Sequence, residues 1–401
     1  MNNAIDELLT RGVEEAIDKE HLKAALKSGK KLRVKLGIDP TSPNLHIGRA
    51  VVLWKLRAFQ ELGHKVVFIV GDFTGLIGDT SDKDSERPML SEAQIKANLK
   101  TYFKQAAKII DQKKAEMHYN SKWLKKLGFL EIGKMADLFG LREMAARENV
   151  ARRLDAGKRV SFRELLYPIM QGYDSVAVKA DVELGGTDQR FNLLAGRTIQ
   201  PVYGQLAQDI LTTQLMEGTD GRKMSSSWGN VINITDEPND MFGKVMSISD
   251  NLIKKYFVLA TRREISEIDE IMSAGGGSAS GGKLANPRDQ KLILAEEITA
   301  LYHSKALAEK AKEAFVNQFR KGGLPDEIET RIITATQPMS GSEYLAVSGM
   351  VSSKSEGRRL IRQGGIKVDG KVLIDDKPFD LGIDPKLFQV GKRKYLKLKK
   401  K

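Results

Sequence analysis

The 401-residue sequence contains no cysteine and only five histidines. Without cysteine the chain can form no disulfide, offers no thiolate to a metal ion and has no cysteine nucleophile. No two of the histidines show the His-x-x-x-His spacing that places two imidazoles on one helix face. We therefore expect neither a disulfide-stabilised protein nor a zinc enzyme, and we predict no metal site.

Long apolar runs are missing as well. No stretch approaches the roughly eighteen consecutive apolar residues that a membrane-spanning helix needs. Residues 1–31 are polar with balanced charge and contain no short apolar core before a cleavage site, so a secretory signal is not predicted. We expect a cytoplasmic protein that does not bind a membrane.

The chain is long and carries an excess of positive charge. At 401 residues it is too long for one ordinary hydrophobic core, so two or three domains are expected. The net charge is +13, and residues 341–401 alone carry 15 Lys/Arg against 7 Asp/Glu, which is +8 of that total. This concentration predicts a polyanionic partner for the C-terminal piece more strongly than a basic pI does.

Strand and helix patterns alternate in the first part of the chain. They give a strand, a helix, a buried strand and a second strand-to-helix transition at residues 32–38, 47–62, 66–70 and 180–186. A strand, a helix and a strand within some forty residues form a βαβ unit with parallel strands. We predict an α/β, Rossmann-like domain over residues 1–220, with its ligands beyond the carboxyl ends of the strands.

Two smaller domains are predicted downstream. A Gly/Ser-rich segment, residues 273–282, precedes two helical patterns that begin at Asn286-Pro287. We predict a glycine-led loop followed by a helical domain over residues 221–335. After a second linker, a small α+β domain is predicted over residues 339–401.

The C-terminal piece combines local structure signals with basic side chains. Ser353 and Glu356 have the spacing of a capping box, Gly364 suits the end of that helix, and Asp369-Gly370 predicts a tight hairpin. The basic residues of this helix and hairpin are Arg358, Arg359, Arg362, Lys367 and Lys371. A solvated helix with ordinary surface arginines is the alternative. The clustering beside a Lys/Arg-rich tail favours contact with a phosphate backbone.

The loop before the first predicted helix contains residues suited to a phosphate. Residues 37–49 read Gly-Ile-Asp-Pro-Thr-Ser-Pro-Asn-Leu-His-Ile-Gly-Arg. Unpaired amides at a helix N-terminus favour an anion, His46 can donate to a phosphoryl oxygen, and Gly48 leaves room for a flat group such as adenine. A capping or core histidine is the commoner explanation of His-x-Gly alone. The preceding strand and the Asp-Pro-Thr loop favour binding.

Further along, two more stretches offer polar groups to a ligand. Tyr167, Gln171 and Asp174 stand at i, i+4 and i+7, so a helix would place a phenol, an amide and a carboxylate on one face. A polar surface face is the alternative. Residues 185–189, Gly-Gly-Thr-Asp-Gln, favour a ligand because their acidic residue suits a ribose hydroxyl. Residues 220–227, Asp-Gly-Arg-Lys-Met-Ser-Ser-Ser, add a lysine that can reach a polyphosphate.

Together these stretches resemble a known enzyme family. Residues 46–48 and 223–227 are similar to the HIGH and KMSKS motifs of class I aminoacyl-tRNA synthetases. Residues 75–79, 167–174 and 185–189 look like tyrosyl-tRNA synthetase. The C-terminal piece is similar to the small RNA-binding domain that bacterial tyrosine enzymes share with a ribosomal protein of the small subunit. The likeness spans nearly the whole chain.

The resemblance implies an ATP-dependent tyrosine–tRNA ligase. In such enzymes the tyrosine carboxylate attacks the α-phosphorus of ATP, pyrophosphate leaves, and the tyrosyl group passes to the 3′ end of tRNA(Tyr). The resemblance also implies Mg²⁺ accompanying ATP as a substrate complex, no tightly bound cofactor, and a homodimer. It further implies that the predicted helical domain contacts the anticodon arm of the tRNA.

The resemblance also assigns roles to individual residues. The catalytic residues that it implies are Thr41, His46, Lys83, Arg87 and Lys223. The ATP-binding residues are Asp39, His46, Gly48, Arg49, Gly186, Asp188, Lys223, Met224, Ser225, Ser226 and Ser227. The tyrosine-binding residues are Lys35, Gly37, Asp79, Tyr167, Gln171, Asp174 and Gln189, with Asp174 accepting the hydrogen bond of the substrate phenol.

Three positions depart from the family's pattern. Arg49 replaces the second His of HIGH, and Ser226 replaces the second Lys of KMSKS. Part of the phosphate charge must then come from elsewhere, such as Arg222 or a cation. Lys35 stands where many tyrosine enzymes place a second tyrosine that touches the substrate phenol, so the donor to the phenol oxygen is left open.

Two other functions compete with this hypothesis. A tryptophan-activating enzyme shares the class I core, although Asp174 suits a phenol better and the known members lack the C-terminal domain. A non-catalytic RNA-binding protein derived from a synthetase would fit the altered Arg49 and Ser226. Four residues that suit catalysis argue against it: His46, Asp79, Asp188 and Lys223.

Overall fold

The computed structural model describes residues 2–79, 89–273, 286–320, 328–334, 337–391 and 394–400. The chain divides into two compact units, Met1–Lys312 and Glu313–Lys401. Within the described ranges, no helix is both long and apolar enough to cross a membrane.

Helices and strands alternate through the first unit. Its helices are α1 (Asn2–Leu8), α2 (Lys19–Lys27), α3 (Ile47–Glu61), α4 (Thr74–Ile77), α5 (Glu92–Ala106), α6 (Ser121–Leu124), α7 (Phe129–Ala136), α8 (Leu141–Ala145), α9 (Glu148–Asp155), α10 (Phe162–Val178), α11 (Arg190–Ile199), α12 (Pro238–Met246), α13 (Ile253–Ala260), α14 (Ile265–Ser273), α15 (Pro287–Tyr302) and α16 (Lys305–Arg320), the last of which runs past the unit boundary. Its strands are β1 (Val13–Ile17), β2 (Arg33–Ile38), β3 (Lys65–Val70), β4 (Ala115–Tyr119), β5 (Val182–Gly186) and β6 (Asp209–Thr213).

A six-stranded sheet in the order β1-β6-β5-β2-β3-β4 forms the centre of the first unit. All neighbouring pairs are parallel except the edge pair β1–β6. The chain leaves β2 towards β3 and β4 on one side, and later returns to β5 and β6 on the other. The crevice between the carboxyl ends of β2 and β5 is therefore the topological switch point, where ligands bind in such sheets. The predicted Rossmann-like α/β class is confirmed.

Most of the predicted strands and helices of this sheet are confirmed. The continuous apolar run forms strand β3. Its residues Val66–Val70 are fully buried, because helices cover both faces of a parallel sheet. The strand predicted to start at Ala180 begins two residues later, at Val182. The reason is that Lys179 has a left-handed backbone (φ 52°), and the amide of Ala180 donates to the carbonyl of Ser175 to close the end of α10.

The second unit is a small α+β structure. Its helices are α17 (Gly341–Val347) and α18 (Lys354–Arg362), and its strands are β7 (Thr330–Ile333), β8 (Met339–Ser340), β9 (Ile366–Val368), β10 (Lys371–Val372), β11 (Pro378–Phe379), β12 (Lys386–Val390) and β13 (Lys394–Lys400). Five strands pair in the order β10-β9-β12-β13-β7, and β8 pairs with β11. Tyr344, Leu345, Ile366, Phe388 and Leu398 are among the residues that fill its core.

The predicted boundary at residues 335–339 falls inside this second unit. Strand β7 lies before it in sequence and pairs in parallel with β13, the last strand. Strand pairing across some seventy residues is invisible to local composition. The predicted boundary between residues 220 and 221 likewise falls inside the first unit.

The helix and hairpin predicted near the C-terminus are present, with one difference. The Ser353 side chain caps α18 by accepting from the Glu356 amide. The Glu356 carboxylate accepts from the amide and hydroxyl of Ser352, so the reciprocal half of the predicted capping box does not form with Ser353. Asp369 (φ 48°) and Gly370 (φ 80°) make the two-residue turn, in which both central residues need positive φ.

Candidate functional site

A cavity of about 330 Å³ opens at the carboxyl ends of β2, β3 and β5. Its lining includes all described catalytic-domain residues that the sequence predicted, apart from Lys35: Gly37, Asp39, Thr41, His46, Gly48, Arg49, Asp79, Tyr167, Gln171, Asp174, Gly186, Asp188, Gln189, Lys223, Met224, Ser225, Ser226 and Ser227. Lys83 and Arg87 lie outside the described residues. The cavity therefore brings together residues from five separate sequence stretches at the predicted edge of the sheet.

His46 is the N-cap of α3. Its Nδ1 accepts from the Arg49 amide at 3.3 Å, which leaves Nε2 as the protonated nitrogen of a neutral ring. Burial, together with the smaller effects of the nearby Arg49 and Lys223 charges, lowers the pKa of His46 to about 3. His46 is therefore an uncharged N–H donor at the positive end of a helix. This arrangement suits an anionic oxygen.

Gly48 keeps the first turn of α3 open beside this histidine. A Cβ at position 48 would lie 3.1 Å from His46 Nδ1 and 3.3 Å from Met224 Sδ. Glycine thus preserves the space between the helix and the residue 220–227 loop. A flat ring can pack against backbone there.

Arg49 and Asp39 order the loop before α3. The Arg49 guanidinium donates to Thr41 Oγ1 at 3.3 Å and also to the Tyr102 hydroxyl. Asp39 accepts from Thr74 Oγ1 at 2.7 Å and from the Tyr167 hydroxyl at 2.9 Å. Arg49, which stands at the second histidine of the HIGH-like motif, therefore places a cation next to Thr41. Thr41 is one of the predicted phosphate contacts.

The loop that carries Lys223 folds back on itself through Asn230. The Asn230 side chain accepts from the Ser225 amide at 2.9 Å and donates to Asp220 at 2.7 Å and to the Lys223 carbonyl at 3.1 Å. Lys223 Nζ lies 2.8 Å from Asp188 Oδ2. The loop thus brings its ammonium to the glycine turn after β5.

Arg222 does not line the cavity, although the sequence suggested it as a source of phosphate charge. It forms an ion pair with Asp220 at 2.5 Å, and its guanidinium lies over the Trp228 ring, 4.8 Å from the centroid. In the described residues, the cations that line the cavity are Arg49 and Lys223.

The opposite end of the cavity is built by α10. Tyr167, Gln171 and Asp174 all line it, as expected for one helix face. Nearby, Gln189 Nε2 donates to Asp79 Oδ2 at 2.6 Å, which joins two residues predicted to bind the amino acid.

Asp174 is a buried carboxylate with two neutral donors. Its oxygens accept from Trp123 Nε1 at 2.7 Å and from Asn120 Nδ2 at 3.2 Å, and the residue is only 3% exposed. Burial raises the pKa of Asp174 to about 7, against the opposing effects of the Lys35 charge and the Trp123 and Asn120 hydrogen bonds. Asp174 can therefore accept a further hydrogen bond from a ligand hydroxyl inside a dry cavity end.

Lys35 lies beneath the cavity and is fully buried. Its Nζ forms an ion pair with Glu183 Oε1 at 2.9 Å, and donates to the Gln171 carbonyl and Ser175 Oγ at 2.9 and 2.8 Å. It does not line the cavity that holds the other predicted tyrosine-binding residues. The position that would supply a donor to a phenol is thus occupied by an internal ammonium.

Sequence reasoning missed several residues around Asp174. Trp123, Asn120 and Glu183 were not singled out, although they surround or support this carboxylate. Asn120 directly follows β4, so its place at a strand's carboxyl end was the available signal. β4 itself was not predicted, although residues 115–119 alternate apolar and polar side chains as a half-buried strand does.

Comparison with known proteins agrees with this geometry. The family model described as tRNA synthetases class I (W and Y) matches residues 27–320, and the S4 domain model matches residues 343–374. The chain belongs to the class I tRNA synthetases. A tyrosine–tRNA ligase of Burkholderia thailandensis is 48% identical over 393 residues, covering 97% of this chain and 93% of the relative. The corresponding ligase of Idiomarina loihiensis is 46% identical and covers 97% and 96%.

Solved structures of the same fold are also similar to this synthetase. A C-terminally truncated mitochondrial tyrosyl-tRNA synthetase of Aspergillus nidulans has a TM-score of 0.64 at 22% identity, covering 80% of this chain and 94% of that one. The Archaeoglobus fulgidus enzyme, crystallised with L-tyrosine, has a TM-score of 0.61 at 22% identity, covering 78% and 99%. At these identities the likeness establishes the fold.

The S4 domain of the synthetase presents the predicted basic residues to solvent. Arg358, Arg359, Arg362, Lys367 and Lys371 are all exposed. Arg358 Nε also lies 3.2 Å from Asp376 Oδ2, an exposed pair that leaves the guanidinium available to a stronger anion. Three of the five residues lie on α18 and the other two on the strands of the β9–β10 hairpin, so the basic residues belong to one helix–hairpin segment of the matched domain.

Proposed function

We propose that this synthetase is a tyrosine–tRNA ligase. The observation that carries the proposal is Asp174, a buried acceptor at the end of a cavity whose other end has the HIGH-like and KMSKS-like residues. A tyrosine phenol would give this carboxylate a donor. An indole or a phenyl ring entering to the same depth would give it none at the position of the para hydroxyl, which leaves a buried polar group unpaired.

The amino acid would lie along α10. Asp174 would accept from the phenol, and Asp79, Tyr167 and Gln171 would receive the ammonium group, with Gln189 held beside Asp79. Asn120 Nδ2 donates to both Asp174 and Thr74 from the cavity wall, so it would hold the Asp174 carboxylate in place for the phenol. These placements leave the substrate carboxylate directed towards the α3 end of the cavity.

ATP would occupy that α3 end. Asp188 and the Gly186 backbone would hold the ribose, and Gly48 and Met224 would border the adenine. The neutral His46, together with Thr41 and Lys223, would contact the phosphates, with Asp39, Arg49 and residues 225–227 completing the site. Lys223 must then leave Asp188 and bind phosphate oxygens. Both partners are anionic acceptors, so the ammonium keeps a counter-charge.

The reaction needs positioning and charge stabilisation, and no acid–base pair. A tyrosine carboxylate oxygen forms a bond to the α-phosphorus of ATP while the bond to the bridging oxygen breaks, so the electron pair leaves with pyrophosphate. His46 and Lys223 would stabilise the charge that develops on the phosphates. In the second step a ribose hydroxyl of the tRNA 3′ end takes the tyrosyl group and AMP leaves. Lys83 and Arg87 remain proposed phosphate or acceptor-end contacts.

Mg²⁺ would accompany ATP, bound chiefly by phosphate oxygens. In the described residues, the three-ligand acid and histidine group that could hold an ion is Asp18, His21 and Asp209, and none of these lines the cavity. The cavity residues therefore fit a metal that arrives on the nucleotide better than a protein-held one. When bound, the ion would neutralise charge on the departing pyrophosphate.

The domains would divide the substrates between them. We propose residues 1–220 as the catalytic domain and residues 221–335 as the KMSKS-like loop with the anticodon-arm helices. We propose the S4 domain as a phosphate-backbone contact for tRNA(Tyr). Because the product supplies translation, we also propose a cytoplasmic location.

We further propose that the synthetase is a homodimer. Large apolar side chains stand exposed on α7, α8 and the start of α10, and include Phe129 (93%), Leu130 (74%), Leu141 (72%) and Phe162 (71%). The inner faces of these helices share one hydrophobic cluster with α11 that includes Met135, Met144, Ile169 and Ile199. Exposed apolar side chains on helices that share one core are typical of an interaction site, and a second copy would cover them.

The test is exchange of labelled pyrophosphate into ATP with tyrosine, tryptophan or phenylalanine as the only amino acid. We expect exchange with tyrosine alone. Exchange with tryptophan would indicate the other branch of the family, and no exchange with any amino acid would indicate a non-catalytic RNA-binding protein.

A further inference from the structure

Lys35 and Glu183 form a charged pair at the switch point of the sheet. They are register partners on the parallel strands β2 and β5, and both are essentially inaccessible, at 0% and 1% exposure. The ammonium has three acceptors, Glu183 Oε1, the Gln171 carbonyl and Ser175 Oγ, which uses all three of its N–H groups. Glu183 also accepts from the side chains of Gln171 and Ser175 and, at 2.5 Å, from Gln208.

Two of the residues in these contacts lie on either side of Asp174 in the sequence of α10. Gln171 and Ser175 lie three residues before and one residue after it on α10. The ammonium of Lys35 thus connects β2 to the helical turn that carries Asp174. The pair lies behind the cavity wall, so it can act on a ligand only through residues that line the cavity, which are Asp174 and its neighbour Gln171.

A buried ion pair by itself stabilises a fold little, and apolar residues of similar volume often replace it at no cost in stability. A third buried charge, that of Asp174, lies beside the pair and is a group on which the pair can act. We propose that Lys35 and Glu183 are positioning residues that hold Asp174 in place and keep it an ionised hydrogen-bond acceptor for the amino acid. This inference rests on the proposed tyrosine activation.

The electrostatic surroundings of Asp174 support this role. Lys35 lowers the pKa of Asp174, and Glu183 raises it by a smaller effect. Trp123 and Asn120, which contact the carboxylate from α6 and the end of β4, are neutral donors. Tyr167 on the same helix is a neutral phenol, since burial raises its pKa well above the usual value. In the described residues, Lys35 is therefore the cation that opposes the cost of burying this carboxylate.

Three variants of the full chain test the proposal: Lys35→Met, Glu183→Gln and the double variant. For each, the Michaelis constant for tyrosine is measured by pyrophosphate exchange between about pH 6 and 9, with ATP saturating. An ionised Asp174 binds tyrosine, so 1/KM falls as pH drops through its pKa. We expect the midpoint to move up in Lys35→Met by about one pH unit or more and down in Glu183→Gln. The KM for ATP should stay nearly constant.

The double variant keeps the test valid if Lys35→Met, which leaves an unpaired buried carboxylate, fails to fold. It contains no buried charge at either position, and its comparison with Glu183→Gln isolates the effect of Lys35. We expect its midpoint to lie about one pH unit or more above that of Glu183→Gln. Coinciding pH profiles in the folded variants would overturn the proposal and leave a purely structural pair. Absence of tyrosine-dependent exchange in the unmodified chain would instead reject the proposed function.

Discussion

At the scale of single residues, the burial of Asp174 lowers the stability of the fold, and its proposed role is to recognise the substrate phenol. Its pKa rises from 3.8 to about 7 on folding, so above pH 7 the native state contains a buried carboxylate that the unfolded chain solvates. We predict that Asp174→Asn raises the free energy of unfolding at pH 8 by about 1–3 kcal/mol and nearly abolishes tyrosine activation. The gain stays below the full electrostatic cost because the Asn amide has one oxygen for the two donors Trp123 and Asn120. Urea unfolding and pyrophosphate exchange measure the two effects.

The pH dependence supplies the control for this prediction. A carboxyl group whose pKa is raised in the native state destabilises the fold above that pKa, and the penalty disappears as pH falls. The stability difference between Asp174→Asn and the unmodified chain should therefore shrink between pH 7 and pH 4. A difference that is constant over this range would show that packing, and not charge, causes it.

At the scale of one element, α18 separates its structural face from its basic face. Ser353 caps its start, and Gly357 and Ile361 are buried, with a Cβ at position 357 only 3.0 Å from Ser342 of α17. The arginines at positions 358, 359 and 362 are exposed, so they contribute little to folding. We predict that the triple change to alanine raises the KM for tRNA several-fold. The salt dependence of binding should also become shallower, by roughly 0.7–0.9 in slope for every phosphate that these arginines no longer neutralise. Aminoacylation and filter binding between about 50 and 200 mM salt measure the two effects.

A matched variant removes the same charge elsewhere. Lys19, Lys27 and Lys31 are exposed on the first unit, and their change to alanine lowers the net charge equally. We expect it to leave the salt slope of tRNA binding unchanged, and both triple variants to retain pyrophosphate exchange. An equal weakening of tRNA binding in the two variants would show that net charge, and not the place of α18, attracts the tRNA.

At the scale of the whole molecule, we propose that the exposed apolar patch on α7, α8 and α10 is the surface through which two copies assemble. We predict that sedimentation equilibrium gives twice the 44.5 kDa of one chain. Phe129→Glu combined with Leu130→Glu should yield monomers, because two carboxylates would have to be buried in the interface. As a control, Ile374→Glu with Ile383→Glu changes equally exposed apolar residues of the second unit (82% and 89%) and should remain dimeric. A monomeric unmodified chain, or a dimer that persists in the patch variant, would reject this surface.

Local sequence determined much of this protein. The strand, loop and helix at residues 33–61 follow from apolar alternation, a Pro-containing loop and Gly63 just after the helix, each of which acts over a few residues. The same holds for the face Tyr167–Gln171–Asp174, because helical spacing places those side chains together whatever surrounds them. The glycine turns and the basic helix α18 are also local features. For these reasons the fold class and most cavity residues could be predicted from sequence.

Tertiary structure alone decided what surrounds those residues. The Trp123–Asp174 and Lys35–Ser175 hydrogen bonds join residues 51 and 140 positions apart, and depend on β2 lying between β3 and β5. The sequence placed Lys35 against the ligand because its position was compared with a tyrosine that touches the phenol. Its ammonium instead lies behind the cavity, since Glu183 on the adjacent strand β5 offers it a buried counter-charge. Strand order is a property of the assembled sheet, so no local pattern could reveal that partner.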